Sequence, residues 1–208
     1  MKTIRQLLAV CLTLIIGFGF KNTENIDSKR ILTISFVDQN FKSDSYYSEE
    51  IGKVNNVTGD EVLSYIDSSI CNTFTSFDSK TGFRFENCPK TETTTKFVNK
   101  ISINESQCKL NQTCYRSDIN AISTDGLSSF MQECNMDYLM IINGYSMNYI
   151  GKPYYMVNHT ISYDIYTNKG QIVNNSIINF NTSKLVSFDK IKGKISKEAS
   201  KISKQLSK

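Results

Sequence analysis

The chain has 208 residues, of which 39% are hydrophobic and 21% are charged, a balance typical of a globular protein and not of a disordered one. The formal net charge is +4 at pH 7, but residues 184–208 alone carry eight lysines against Asp189 and Glu198, so residues 21–183 are net acidic. A mildly acidic body with a basic tail gives no reason to expect a nucleic-acid partner.

The amino terminus has the pattern of a secretory signal peptide. Two basic residues precede an unbroken apolar run over residues 7–20. This run is shorter than the roughly 20 residues that a membrane-spanning helix needs. We predict that residues 1–20 are a cleaved signal, and that residues 21–208 form a single α/β domain exported to the periplasm or secreted.

The cysteines fit an exported protein that keeps at least one free thiol. Six are present, and Cys11 lies inside the predicted signal. The five that remain are an odd number, so an oxidising compartment would leave one of them free or paired with another chain. The disulfide is predicted among Cys88, Cys108 and Cys114, with Cys108–Cys114 preferred because this stretch looks like a stapled loop. Cys134 is predicted to be a buried free thiol.

The first half of the chain predicts a strand–helix–strand unit. Residues 31–37 form a compact β-branched run typical of a buried strand, and a polar loop is predicted over residues 38–57. Thr58 and Glu61 form a capping-box pattern at the start of an amphipathic helix. Residues 82–85 begin a second strand, which a connection of this length predicts to be parallel to the first.

The middle of the chain is less regular. Residues 89–122 are predicted to be an irregular insertion with one short helix. A helix is expected to start at residues 123–125, and the apolar run over residues 138–142 is typical of a central strand buried on both faces. Cys71 lies well down the first helix, whereas Cys88 follows a strand that runs back along it, so a bridge between these two is excluded.

The last part of the chain predicts two strands and a helix. After a turn near residues 148–153, apolar and polar residues alternate strictly from residue 155 to 165, which predicts a strand. A hairpin turn with Gly170 follows, then a return strand over residues 171–180. An Ile/Leu stripe from Lys184 to the end predicts a long amphipathic helix. The predicted order is β-α-β, insertion, α-β-β-β-α, an α/β fold with a mixed sheet and helices packed on it.

Three segments together resemble a known exported module. Residues 29–34 look like an opening strand after a basic pair, residues 134–141 like a helix-to-strand joint, and residues 163–173 like a late hairpin. This pattern is similar to the amino-terminal domain of TolB, the curli-secretion channel family and the periplasmic lipoprotein activators of penicillin-binding proteins. The resemblance implies an α/β fold and a role in binding or assembly at the cell envelope.

The sequence contains few features that are typical of a catalytic site. His159 is the single histidine and lies in the apolar register of its strand, which favours a buried or half-buried residue with local hydrogen bonds. A strained nucleophile turn, a glycine-rich phosphate motif and zinc-ligand spacing are all absent from the sequence. We therefore predict no catalytic, cofactor-binding or metal-binding residues. The alternative is a small secreted hydrolase that uses His159.

Two features of the sequence are compatible with other kinds of partner. Asn-x-Ser/Thr sequons would suit a secreted glycoprotein, and they lie at Asn56, Asn104, Asn111, Asn158, Asn174 and Asn181. The lysines of the carboxyl-terminal helix could contact an anionic membrane surface or an acidic polymer. We favour a helix that packs its apolar stripe on the sheet and keeps its lysines in solvent. The overall expectation is a non-catalytic envelope module whose partner is a protein or another envelope component.

Overall fold

The computed structural model describes residues 28–43, 45–76, 82–107, 113–183 and 186–206. The predicted signal peptide at residues 1–20 lies outside the described residues. Cys108 does too, so the preferred Cys108–Cys114 bridge stays a prediction. Cys71, Cys88 and Cys134 are free thiols. No helix of the described ranges is both long enough and apolar enough to cross a membrane.

Strands and helices alternate along the described chain. They are β1 (Lys29–Ser35), β2 (Phe41–Ser43), α1 (Ser45–Asn55), α2 (Gly59–Thr75), β3 (Phe83–Asn87), α3 (Glu92–Val98), β4 (Ser102–Gln107), β5 (Thr113–Asp118), α4 (Thr124–Glu133), β6 (Tyr138–Ile150), β7 (Met156–Thr167), β8 (Ile172–Ser183) and α5 (Phe188–Leu206).

The main sheet is mixed. Its strand order is β3-β1-β6-β7-β8, with β1 parallel to both β3 and β6, and with β6, β7 and β8 successively antiparallel. The short β2 pairs with β6 beyond the end of β1, in the same parallel sense. The predicted α/β class is confirmed, and so is the parallel pairing of the first two predicted strands.

One face of the sheet is covered by α1, α2 and α5. The capping box of α2 is present: the Glu61 amide donates to Thr58 Oγ1 over 3.3 Å, and the Thr58 amide donates to Glu61 Oε2 over 2.7 Å. The apolar stripe of α5 is buried against the sheet, as predicted, with Ile191 and Ile195 fully inaccessible. Tyr65 of α2 stacks on Phe188 of α5, so the two helices also support each other.

The opposite face is covered by α3, α4 and the β4–β5 hairpin, so the prediction of an irregular insertion over residues 89–122 was wrong. The short helix expected there is α3, but β4 and β5 form a regular antiparallel pair. The hairpin contacts the sheet through polar groups: the Tyr115 amide donates to Ser162 Oγ over 3.1 Å. An element held by hydrogen bonds needs no apolar stripe, which is why its sequence lacked one.

The segment predicted as a polar loop, residues 38–57, contains β2 and α1. Helix α1 buries Ile51 in the core and is otherwise fixed by close backbone contact and by side-chain hydrogen bonds. A Cβ atom on Gly52 would lie 2.6 Å from the carbonyl oxygen of Val57. The Asn55 side chain donates to the Val186 carbonyl and accepts from the Phe188 amide. These contacts leave no periodic signal in the sequence.

Some smaller predictions concern burial and turns, and the structure corrects most of them. Cys134 caps the end of α4 and is half-buried, not buried as predicted, because the capping position lies past the apolar stripe. Strand β6 runs to Ile150 and β7 begins at Met156, so the turn predicted near residues 148–153 lies at residues 151–155. The hairpin turn before β8 has Gly170 at φ +75°, as predicted. In β7 the polar residues of the alternation are buried too, because the β4–β5 hairpin lies over them.

Candidate functional site at the carboxyl ends of β1 and β3

A crevice of about 460 Å³ lies where the parallel strands β1 and β3 end, between α2 and α3. Ligands of open α/β sheets bind outside the carboxyl ends of parallel strands, where diverging loops leave room. The chemically distinctive residues that line the crevice are Thr33, Ser35, Asp38, Asp67, Cys71 and Cys88. They come from β1, the turn after it, α2 and the segment after β3, so the crevice is assembled from distant parts of the chain.

The centre of the crevice is the carboxyl group of Asp67. Ser35 Oγ donates to Asp67 Oδ1 over 2.6 Å. Burial raises the pKa of Asp67, the hydrogen bond from Ser35 opposes that rise, and the negative charge of Asp38 adds to it. Among the described residues, Lys90 is the single basic one on the crevice wall, and it lowers the pKa of Asp67 more weakly than burial, Ser35 and Asp38 change it. The crevice therefore holds two carboxyl groups and too little positive charge to balance them.

Two cysteines line the same crevice without forming a bridge. Burial, together with the nearby negative charge of Asp67, raises the pKa of Cys71 to about 11. The pKa of Cys88 also rises to about 11, mainly through burial and then through the proximity of Cys134. Thiols with such values are protonated at neutral pH, whereas nucleophilic and metal-binding cysteines react as thiolates. Both therefore act here as small, weakly polar wall groups.

Thr33 lines the crevice, and its unpaired hydroxyl lies just behind the accessible wall. Its side chain is 3% exposed, and its hydroxyl finds no hydrogen-bond partner among the described residues. Leaving a buried hydroxyl unpaired costs about 1–3 kcal/mol. The folded chain tolerates the free-energy cost of this unpaired hydroxyl beside a cavity. A molecule bound in the cavity could provide the hydrogen-bond partner that the hydroxyl lacks.

His159 lies elsewhere, in the core between the sheet and the helices. It is fully buried, stacks on Phe180 with ring centroids 4.6 Å apart, and forms hydrogen bonds with Tyr145 through Nδ1 and with Thr182 through Nε2. Burial lowers the pKa of His159 to about 3. The prediction of a buried, locally hydrogen-bonded histidine is confirmed. His159 does not line the crevice.

A second polar cluster, centred on Asp164 of β7, holds the hairpin on the sheet. The Asp164 carboxylate is 1% exposed and accepts hydrogen bonds from Arg116 Nη1 (3.0 Å), the Ser117 amide (2.9 Å) and Asn143 Nδ2 (2.7 Å). The sequence analysis did not single out this residue. Its position inside a strict apolar–polar alternation could have raised the question of what pairs with it.

The structure places the predicted sequons in different environments. Asn158 is 8% exposed and its side chain donates to Asn181 Oδ1 over 2.8 Å, so a glycan at Asn158 would disrupt the folded chain. Asn111 lies outside the described residues. Among the described ranges, no group of three or more His, Cys, Asp or Glu side chains is arranged to hold a metal ion.

The comparisons with known proteins give only a distant likeness. No protein-family model matches the chain, and no curated protein matches it. Two structures of the PelC dodecamer from Paraburkholderia phytofirmans match with a TM-score of 0.38, at 8% and 9% identity, over 84% of this chain and 88% and 86% of that chain. The hypothetical protein CT253 from Chlamydia trachomatis matches with a TM-score of 0.38 at 6% identity, over 74% of this chain and 72% of that chain. Matches this weak carry no argument about function, and the resemblance to the TolB-type modules stays a prediction.

Proposed function

We propose that this chain is an exported, non-catalytic binding module of the cell envelope, and that it holds a small amine-bearing ligand in the crevice at the carboxyl ends of β1 and β3. The observation that carries the proposal is the hydroxyl of Thr33, which is buried beside the crevice without a partner. A ligand that fills the crevice can offer this hydroxyl an acceptor or donor, and its ammonium group can neutralise Asp67.

The chemistry of the other crevice groups supports binding over catalysis. Both thiols are protonated at neutral pH because burial raises their pKa to about 11. The hydrolase alternative needs His159 within reach of a nucleophile and a substrate. That residue is fully buried, and the hydrogen bonds of its two ring nitrogens already engage Tyr145 and Thr182.

Calorimetric titration of the purified chain with simple amines tests the ligand class. Suitable probes are 1,4-diaminobutane, ethanolamine and tetramethylammonium, and we expect at least one to bind with a Kd below about 1 mM. Asp67→Asn should abolish this binding. Asp189→Asn, which removes an exposed carboxylate from α5, is the matched control and should leave it unchanged. Equal binding by both variants would contradict the proposed site.

Thr33→Val gives a second, independent test because it separates stability from binding. Valine keeps the shape of threonine and removes the unpaired hydroxyl, so the free protein should become more stable by about 1 kcal/mol. The same change should weaken amine binding. A variant that is less stable than the wild type would show that the Thr33 hydroxyl already has a partner in the free protein.

Export is tested separately, by intact-mass measurement of the protein recovered from the envelope or the medium. The basic head and apolar run of residues 7–20 support a cleaved signal. We expect a mature chain that starts between Phe20 and Glu24. Retention of Met1, or a lipid on Cys11, would contradict this part of the proposal.

A further inference from the structure

Strand β8 forms one edge of the main sheet and is unusually long for an edge. It has 12 residues, and the strand order of the described sheet ends with it. Natural proteins protect such edges with charged residues, proline, bulges or short strands, because an open edge invites another strand. Residues 172–183 contain no charged residue and no proline. Ile172 and Val173 at its start are 53% and 46% exposed.

A groove of about 440 Å³ opens where the end of β8 meets α5. Asn181, Thr182 and Ser183 line its strand side, and residues of α5 line the other. The groove therefore lies alongside the last residues of the edge strand. On the helix side, a Cβ atom added to Gly193 would meet nothing within 4 Å, so this wall is open.

The helix wall of the groove is strongly basic. Lys190, Lys194 and Lys197 line it, and none of the three forms an ion pair with a described residue. Among the described residues, no acidic side chain lines the groove. A segment that lay along the end of β8 would therefore place its side chains next to three unpaired ammonium groups.

We propose that β8 and α5 together form a docking site for an extended acidic segment of another protein, which adds to the sheet as a strand outside β8. Backbone hydrogen bonds to β8 would supply affinity, and Lys190, Lys194 and Lys197 would select acidic side chains. A second copy of this chain fits less well, because antiparallel pairing of two β8 strands would bring two lysine-rich helices toward each other. This site is separate from the amine-binding crevice, and neither proposal depends on the other.

The test uses the full mature chain and a synthetic peptide of about twelve residues, matched to the strand, that alternates glutamate with valine or threonine. Fluorescence anisotropy should show saturable binding of this peptide. The same peptide with alternate backbone amides methylated keeps its charge and loses its donors, so it should bind at least about tenfold more weakly. A lysine-for-glutamate peptide should not bind.

Two sets of lysine variants locate the site. The triple change Lys190→Gln, Lys194→Gln and Lys197→Gln should weaken peptide binding at least about tenfold. The control removes the same number of exposed charges away from β8 and the groove, by Lys96→Gln and Lys100→Gln near α3 and Lys192→Gln on the other side of α5. The control should change binding by no more than about twofold. Thermal melts should show both variants folded, because all six lysines are exposed.

Three results would overturn the proposal. Equal binding of the methylated peptide would mean that charge alone drives association, without strand addition. Equal loss in both lysine sets would mean that the overall positive charge of the protein, and not the groove, attracts the peptide. Sedimentation of the protein with vesicles rich in anionic lipid, without competition by the acidic peptide, would identify a membrane surface as the partner of α5.

Discussion

Mild acid should destabilise the protein through its single histidine. Burial lowers the pKa of His159 to about 3 in the folded chain, whereas a histidine in an unfolded chain titrates near pKa ~6.5. Between these two values the unfolded chain takes up a proton that the folded chain refuses, so stability falls as the pH falls below about 6.5. With the folded ring neutral throughout, the free energy of unfolding drops by about 2 kcal/mol between pH 7.5 and pH 5.

Urea unfolding of the wild type and of His159→Gln, measured side by side from pH 7.5 to pH 5, isolates this effect. The carboxyl groups titrate in both proteins, so their contributions cancel when the free energies of unfolding of the two proteins are subtracted. At pH 7.5 the variant should be less stable by about 1–3 kcal/mol, because glutamine cannot reproduce both ring hydrogen bonds and the stacking on Phe180. By pH 5 the gap should have narrowed by about 2 kcal/mol. A gap that stays constant across this range would refute the reasoning.

Other expectations concern packing and the hairpin, and urea unfolding measures each of them. Ile195→Ala should lower the free energy of unfolding by about 2–5 kcal/mol because the side chain is fully buried. Lys192→Gln, on the exposed side of α5, should change it by no more than about 0.5 kcal/mol. Equal values for the two variants would mean that α5 does not pack on the sheet. Asp164→Ala should cost about 3 kcal/mol, since it removes the acceptor of four hydrogen bonds, and a neutral result would contradict its role. Gly144→Ala should cost about 1–3 kcal/mol, because the new Cβ would lie 2.4 Å from Tyr115 Cδ2, and unchanged stability would mean that the hairpin yields easily.

The elements that could be predicted are those whose structure is determined by residues close together in the sequence. The capping box at Thr58 and Glu61 is local, and so is the glycine in the turn before β8. The apolar stripe of α5 repeats over several turns, which one sequence window reveals. The burial of His159 followed from its register between two apolar residues of one strand.

The parts that could not be predicted depend on contacts between distant residues. Helix α1 is fixed in part by Asn55, which donates a hydrogen bond to the Val186 carbonyl and accepts one from the Phe188 amide, more than a hundred residues away in sequence. The crevice brings Thr33 and Asp67 together with residues that follow β3, and no spacing rule relates them. Its polar residues also differ little from ordinary surface residues until the fold places them around a cavity.

The polar contact between the β4–β5 hairpin and the sheet has a thermodynamic consequence. Much of the contact consists of hydrogen bonds, such as those that the Ser117 amide donates to Asp164 and the Asn143 side chain donates to the Tyr115 carbonyl. Lifting the hairpin would expose the buried side chains of Cys114 and Tyr115, but otherwise mainly polar groups. Both the heat-capacity change and the urea dependence of that opening would therefore be smaller than for an apolar contact of the same area. In native-state hydrogen exchange, the amides of Thr113–Asp118 should open through a local fluctuation that urea scarcely promotes, while those of β6 should exchange only through global unfolding. The chain would then carry two units of different cooperativity, one held by oriented polar groups and the other by its apolar core.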